Sequence, residues 1–272
     1  MIDLSERDDA ISRCLVKARL SAEPLPDFPD RLPETLDQAY AIQAANIERW
    51  PDEIGGWKVA GLSPADRSRF GAERLAGPVF RSRIHTIENG GSIVMPVYEG
   101  GFAAVEAEIV LELGVAVSPS HQACSDEELI GFIAAAYCGA EIASSPMAVV
   151  NERGPMSVIS DFGNNAGVII GPAIPDWRSL PSNALTASVT VDDVVVGESA
   201  VGSITGNPLG ALRCLVEICA RRGIELPAGT IVSTGAITGV HDVALSSVSR
   251  VDYGDFGRFD VRYTPIQPVT HD

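Results

Sequence analysis

Three glutamates and one lysine are the residues whose types and spacing suggest chemistry. In Val105-Glu106-Ala107-Glu108-Ile109-Val110-Leu111-Glu112-Leu113 the pattern is that of a strand. Strand side chains alternate, so Glu106, Glu108, Val110 and Glu112 share one face and Ala107, Ile109, Leu111 and Leu113 the other. The carboxylates of Glu106 and Glu108 then point the same way, from Cβ atoms about 7 Å apart. Two like charges side by side in an apolar strand are unfavourable unless something neutralises them. A divalent cation does so directly, and Mg2+ and Mn2+ are hard ions that take carboxylate oxygens. The alternative is a half-exposed strand with a solvated acidic face. Two other residues weigh against it. Glu141 sits in the apolar run from Ile133 to Ala143, and a buried glutamate needs a partner. Lys58 lies in Gly55-Gly56-Trp57-Lys58-Val59-Ala60. It reads either as a lysine snorkelling from a strand end or as a buried one. Beside a cation, a buried lysine has a depressed pKa and acts as a base.

These residues need elements to hold them. Ser5-Glu6-Arg7-Asp8 resembles a capping box and opens a helix carrying Ile11, Leu15 and Ala18. Pro24, Pro26, Pro29 and Pro33 break it. Thr35-Leu36-Asp37-Gln38 opens a second helix, which Pro51 ends. From Gly55 the texture changes to short runs punctuated by Gly, Pro and Asn. Strands are predicted near 57–60, 92–95, 104–113, 167–170, 187–196, 230–233 and 258–263. Helices are predicted over 126–137, behind the box Ser125-Asp126-Glu127-Glu128, and over 208–222, with Asn207 as N-cap and Gly223 as C-cap. This is no regular βαβ alternation. With no GxGxxG after a strand and no GxxxxGK[ST], Rossmann and P-loop readings lack support.

Taken in order, several segments resemble the fumarylacetoacetate hydrolase superfamily in its 2-keto-4-pentenoate hydratase branch. Leu36-Asp37-Gln38-Ala39-Tyr40-Ala41-Ile42-Gln43 is similar to that branch's N-terminal AYxxQ helix. Gly56-Trp57-Lys58-Val59-Ala60-Gly61-Leu62-Ser63 resembles its lysine-bearing strand, and Glu106-Ala107-Glu108 followed by Glu141 resembles its ExE…E metal set. Asp161-Phe162-Gly163-Asn164-Asn165-Ala166 is similar to its DNAS-type loop, with Phe162 where the family usually has Asn. Asn207-Pro208-Leu209, the turn after Arg222, and Ser233-Thr234-Gly235-Ala236-Ile237-Thr238-Gly239 continue the likeness.

The resemblance implies an α+β fold: a mixed β-roll over residues 55–272 preceded by an N-terminal helical region over residues 1–54. It implies one Mg2+ or Mn2+ held by Glu106, Glu108 and Glu141, with Lys58 as the catalytic base or cationic group. Asp161, Thr234 and Thr238 are expected to line the substrate pocket. One departure stands out. Where the hydratases carry an acidic residue in a turn, the stretch from Arg74 to Arg83 around Ala76 has no Asp or Glu. Arg81 and its neighbour Arg83 are expected to pair with a substrate carboxylate instead. The implied reaction is metal-dependent hydration of a 2-hydroxy-2,4-dienoate to a 4-hydroxy-2-oxo acid, in aromatic-compound catabolism, by a carbon–oxygen lyase. The same enolate chemistry serves a 2-oxo acid decarboxylase or a C–C bond hydrolase. A non-catalytic subunit that stabilises a decarboxylase partner is the reading from a different class. A homo-oligomer is implied as well.

Composition bounds these readings. The 272 residues carry a formal net charge of −16, which repels polyanions and argues against nucleic-acid or anionic-membrane partners. With 46% hydrophobic and 21% charged residues there is ample material for a core. The opening Met1-Ile2-Asp3-Leu4 has no basic or apolar leader character, and five cysteines without a CxxC read as reduced thiols. Both features point to a cytoplasmic protein. The histidines His85, His121, His241 and His271 are scattered, so metal chemistry must use carboxylates.

Overall fold

A computed structural model describes residues 4–121, 123–181, 184–203 and 206–269. Met1 to Asp3 and His271, which enter the sequence reading, lie outside them. Two helices come first. Helix α1 spans Glu6–Ser21, with the Ser5 hydroxyl accepting from the Asp8 amide, and α2 spans Leu36–Arg49, with Thr35 accepting from the Gln38 amide. Both predicted caps thus satisfy first-turn amides that have no partner inside the helix. The body follows: β1 (Ile54–Gly61), α3 (Pro64–Phe70), β2 (Arg74–Phe80), β3 (Ile84–Thr86), β4 (Ser92–Val97) and β5 (Phe102–Leu113). Next come α4 (Asp126–Phe132), β6 (Ile133–Ser145), α5 (Pro155–Ser160), β7 (Asn165–Ala173), β8 (Thr186–Val191) and β9 (Val194–Ala200). The chain closes with α6 (Asn207–Arg221), β10 (Ile231–Ser233), β11 (His241–Asp242), β12 (Val248–Asp252) and β13 (Arg258–Pro265).

Among the described residues the strands form two mixed sheets. The larger runs β2-β1-β10-β5-β6-β7-β3, with β11 also paired to β5, and the smaller runs β4-β13-β12-β8-β9. This is the α+β arrangement of curled mixed sheets behind N-terminal helices that the resemblance implies. Strand β5 lies between β10 and β6, and from Ala104 to Leu111 every residue is buried. The Tyr253 hydroxyl, on the segment after β12, sits 2.8 Å from the Glu108 carbonyl oxygen and 2.7 Å from that of Gly139. It ties the smaller sheet to the centre of the larger one.

The N-terminal helices share this core: Ile11, Leu15 and Ile42 belong to the same buried cluster as Ile109, Leu111 and Val251. They also close the open edge of β2. Tyr40 Oη accepts from the Ala76 amide at 3.0 Å, and Gln43 Nε2 donates to the carbonyls of Ala76 and Ile159 at 3.0 and 2.9 Å. That is the structural use of the AYxxQ pattern, because unpaired backbone groups at a buried edge are costly.

Three predicted elements differ in the structure, and α3, β2, β3, α5, β11 and β12 have no counterpart in the sequence reading. The helix predicted over 126–137 stops at Phe132, and Ile133 begins β6. Ala134 to Ala136 favour a helix, but pairing with β5 overrides that weak preference. The strand predicted over 187–196 is a hairpin. Asp192 and Asp193 have φ of 48° and 65°, the left-handed pair that a two-residue turn needs. Gly206, not Asn207, is the N-cap of α6; Asn207 is the first helical residue, and its side chain accepts from the Arg74 guanidinium.

Candidate metal centre and cavity

Sheet register brings the four chemical residues together. Glu106 on β5 lies opposite Glu141 on β6. Lys58 on β1 is in register with Ser233 on β10, which is in register with Val110 on β5. Carboxylate oxygens of Glu106, Glu108 and Glu141 lie within 4.8 Å of one another, and all three residues are buried. The Lys58 ammonium is 3.3 Å from Glu141 Oε2, and Lys58 is only 4% exposed. It is a buried lysine and not a snorkelling one.

Neighbouring groups orient the carboxylates. Glu108 Oε2 accepts from the Ser233 hydroxyl and from the Gly235 amide at 2.9 Å. Glu141 Oε1 accepts from Asn165 Nδ2 at 2.8 Å. The other two oxygens are left over: among the described residues Glu108 Oε1 accepts no hydrogen bond, and Glu141 Oε2 has only its ion pair with Lys58. Buried carboxylate oxygens without donors are costly, and both belong to the clustered glutamates.

The charges do not balance within the protein. Three carboxylates against one ammonium leave two negative charges, the amount one divalent cation neutralises. The strain appears in the proton affinities. Burial, then Glu141, push the Glu106 carboxyl up to about 8, with Lys58 opposing. Burial and the two neighbouring carboxylates push Glu108 well up. Burial pulls the Lys58 ammonium down, but Glu141, Glu106 and Glu108 outweigh it and hold its pKa above the ordinary lysine value. Donor type, clustering and orphaned oxygens together fit a hard divalent ion.

The cluster opens on a cavity of about 540 Å3 whose walls include Lys58, Glu106, Asp66, Asp242, Asn151 and Asn164. Leu62, Leu75, Phe102 and Val158 supply apolar surface. A cleft of about 670 Å3 between α1 and the Pro268–Val269 segment is lined, among the described residues, by Arg13, Lys17 and Arg49 and by no carboxylate.

The sequence pattern of the fumarylacetoacetate hydrolase C-terminal family matches residues 70–262. The chain belongs to the fumarylacetoacetate hydrolase family. All three clustered glutamates fall within the matched span, and Lys58 precedes it. Among curated relatives, a 2-keto-4-pentenoate hydratase of Paraburkholderia phymatum is 28% identical over 85% of this chain and 87% of its own length. A 4-oxalocrotonate decarboxylase of Pseudomonas putida is 26% identical over 93% of this chain and 96% of its own. Among solved structures, the 4-oxalocrotonate decarboxylase of Pseudomonas putida G7 superposes with a TM-score of 0.78, at 23% identity over 97% of this chain and 100% of that one.

Within this family fold, the other expected site residues are placed elsewhere. Asp161 is buried and does not reach the cavity wall. Its carboxylate accepts from Arg19 Nε and Nη2, at 2.5 and 2.9 Å, so it is the anchor of a turn. Thr234 Oγ1 donates to the Ile109 carbonyl at 2.8 Å and fastens the end of β10 to β5. Thr238 Oγ1 pairs with His241 Nε2 at 3.0 Å. Arg81 is exposed, with its Nε 3.1 Å from Glu53 Oε2, on the surface rather than at the cavity. Conversely, Ser233, Asn165 and Asn164 hold or face the site without having been singled out. All three lie inside segments that carry the family resemblance. Their polar side chains beside apolar strand residues were the available signal.

Proposed function

We propose that the protein is a divalent-metal-dependent hydratase that adds water to a 2-hydroxy-2,4-dienoate and yields a 4-hydroxy-2-oxo acid. The observation that carries this reading is the Glu106–Glu108–Glu141 cluster with Lys58 on the wall of one cavity. Related structures lend weight to a metal. The Pseudomonas putida G7 decarboxylase was solved with calcium and acetate and with magnesium and adipate, and a fumarylpyruvate hydrolase of Pseudomonas aeruginosa with Mn2+ and pyruvate.

Glu106, Glu108 and Glu141 would hold the ion, with Mg2+ or Mn2+ the expected species. When bound, it supplies the positive charge that steadies the carboxylate and 2-oxygen of the substrate. The protein's own groups do the rest. Ser233 and the Gly235 amide fix Glu108, and Asn165 fixes Glu141, so the carboxylates need little rearrangement. Lys58, kept as an ammonium by the three carboxylates and not the depressed base its burial alone suggests, gives a proton to the carbon chain and recovers one from the 2-hydroxyl. In net terms the 2-hydroxyl proton is lost and C5 gains one; water then gives its hydroxyl to C4 and its proton to C3.

Decarboxylation of a 2-oxo diacid is the second reading, favoured by the decarboxylase relatives. The cavity's charges weigh against it. Beside Lys58, its walls carry Asp66, Glu106 and Asp242 and no arginine. A second substrate carboxylate would meet acids there, whereas the neutral vinyl end of a monoacid would not.

The test is loss of the diene absorbance of 2-hydroxypenta-2,4-dienoate with Mg2+ or Mn2+, repeated in EDTA. Metal-dependent loss with 4-hydroxy-2-oxopentanoate as product is expected. Carbon dioxide release from 2-oxohex-3-enedioate, with the dienoate untouched, would replace hydratase by decarboxylase. Metal binding with turnover of neither compound would favour the partner-subunit reading.

A further inference from the structure

The wall of the cavity contains one residue whose conformation and polarity are both costly. Asn164 has φ of +64°, a left-handed backbone that favours glycine. It is 4% exposed and lines the cavity. Its Nδ2 donates to Asn151 Oδ1 at 3.3 Å, but among the described residues its Oδ1 has no hydrogen-bond partner. Were the side chain idle, glycine would serve better here on both counts.

The backbone is built to put Asn164 there. Phe162, Gly163 and Asn164 are three consecutive left-handed residues. The Phe162 ring is wedged against Trp50 and Phe80, with centroids 5.4 and 5.1 Å away. The Asn164 amide donates to the Asp161 carbonyl at 2.8 Å, and Asp161 is gripped by Arg19. Gly163 lies so close to Gly77 that a Cβ on either would collide with the other's backbone. The next residue, Asn165, holds Glu141. One turn therefore serves the carboxylate cluster with one amide and the cavity with the next.

An unpaired acceptor oxygen needs a donor. Resting on the hydratase reading above, the product's carboxylate and 2-oxo oxygen are acceptors only, and its sole O–H donor is the hydroxyl at C4, since the dienoate's 2-hydroxyl proton has moved to C5. We infer that Asn164 is a substrate-contacting residue whose side-chain oxygen accepts a hydrogen bond from the C4 hydroxyl that hydration installs. It thereby distinguishes 4-hydroxy-2-oxo acids from their 4-deoxy counterparts.

The experiment is calorimetric binding of two probes, 4-hydroxy-2-oxopentanoate and 2-oxopentanoate, to the full chain in excess Mg2+. Wild type should bind the hydroxy acid about five- to tenfold more tightly, the worth of one such hydrogen bond. In Asn164→Gly the ratio should fall to about one; glycine accepts the left-handed backbone, so the turn survives. Asn164→Asp keeps an acceptor oxygen in the same shape. It should retain the preference while its added charge weakens both acids. A ratio near one in wild type, or an unchanged ratio in Asn164→Gly, overturns the inference while leaving the hydratase reading intact. Failure of wild type to bind either acid in Mg2+ overturns both.

Discussion

Glu106 shows what a buried carboxylate costs before its cation arrives. It shares a closed space with Glu108 and Glu141, and one ammonium cannot offset all three. With its carboxyl pushed up to about 8, Glu106 has to take up a proton on folding at pH 7, and Glu106→Gln removes that cost while keeping the shape. In EDTA the variant should melt about 2 °C above wild type, since in a chain of this size roughly 1 kcal/mol moves Tm by 2–4 °C. In 10 mM Mg2+ the order should reverse, because wild type gains stability from the ion by mass action and the variant gains little. Differential scanning calorimetry in the two buffers reads both signs. A Tm for wild type that ignores Mg2+ would remove the metal from the account. The same residues show what a sequence discloses. Glu106 and Glu108 were legible because alternation in a strand is a local rule. Glu141 was legible only as a misfit in apolar surroundings. That it faces Glu106 is a fact of β5–β6 register, which no local pattern carries.

At the scale of elements, the turn from Asp161 to Asn165 decides what the cavity contains, and β2 decides where the turn can sit. Gly77, in register with Lys58, leaves room for the backbone of Phe162 and Gly163: a Cβ at 77 would stand 2.4 Å from the Phe162 carbonyl oxygen. This is the neighbourhood in which the sequence lacks the expected acid around Ala76, and here the backbone of Phe162 and Gly163 fills the space beside Gly77. Gly77→Asp should therefore not create a hydratase-like acid. It should displace the turn, lower turnover of the dienoate more than tenfold and cost about 1–3 kcal/mol in urea unfolding. Unimpaired activity would show that the turn moves freely. The turn itself was not legible in the sequence. Asp161 beside Phe162 and Gly163 reads as an ordinary turn signal, and its partner Arg19 is 142 residues away. Helix α4 starts where its Ser125 box predicts but is five residues shorter than the sequence suggests, because Ala134 to Ala136 carry a local preference that strand pairing reverses.

For the whole molecule, the two sheets and the N-terminal helices share one large core, with two smaller buried clusters beside it. The helical region predicted over residues 1–54 supplies Tyr40 and Gln43 to the edge of β2 and Arg19 to Asp161. Removing residues 1–54 should leave a buried charge unpaired and a strand edge open, at a cost of about 3–5 kcal/mol for the charge alone. The shortened chain should aggregate or stay unfolded, and the full chain should unfold in one cooperative transition by circular dichroism and fluorescence alike. A folded, monomeric fragment 55–272 would show the two regions to be independent. Among the described residues no helix is long and apolar enough to cross a membrane.

The packing of Trp50 has a consequence of a different kind. Its indole is stacked on Phe80 and meets Phe162 edge-on, at centroid distances of 5.3 and 5.4 Å. Phe162 is two residues from the amide that faces the cavity and three from the one that grips Glu141. The protein thus carries its own optical reporter: any rotation of the turn on loading the cavity changes the surroundings of that indole. The chain has three tryptophans, so the emission difference between wild type and Trp50→Phe isolates the signal. The state of the turn can then be followed in real time, with no dye attached and without waiting for product.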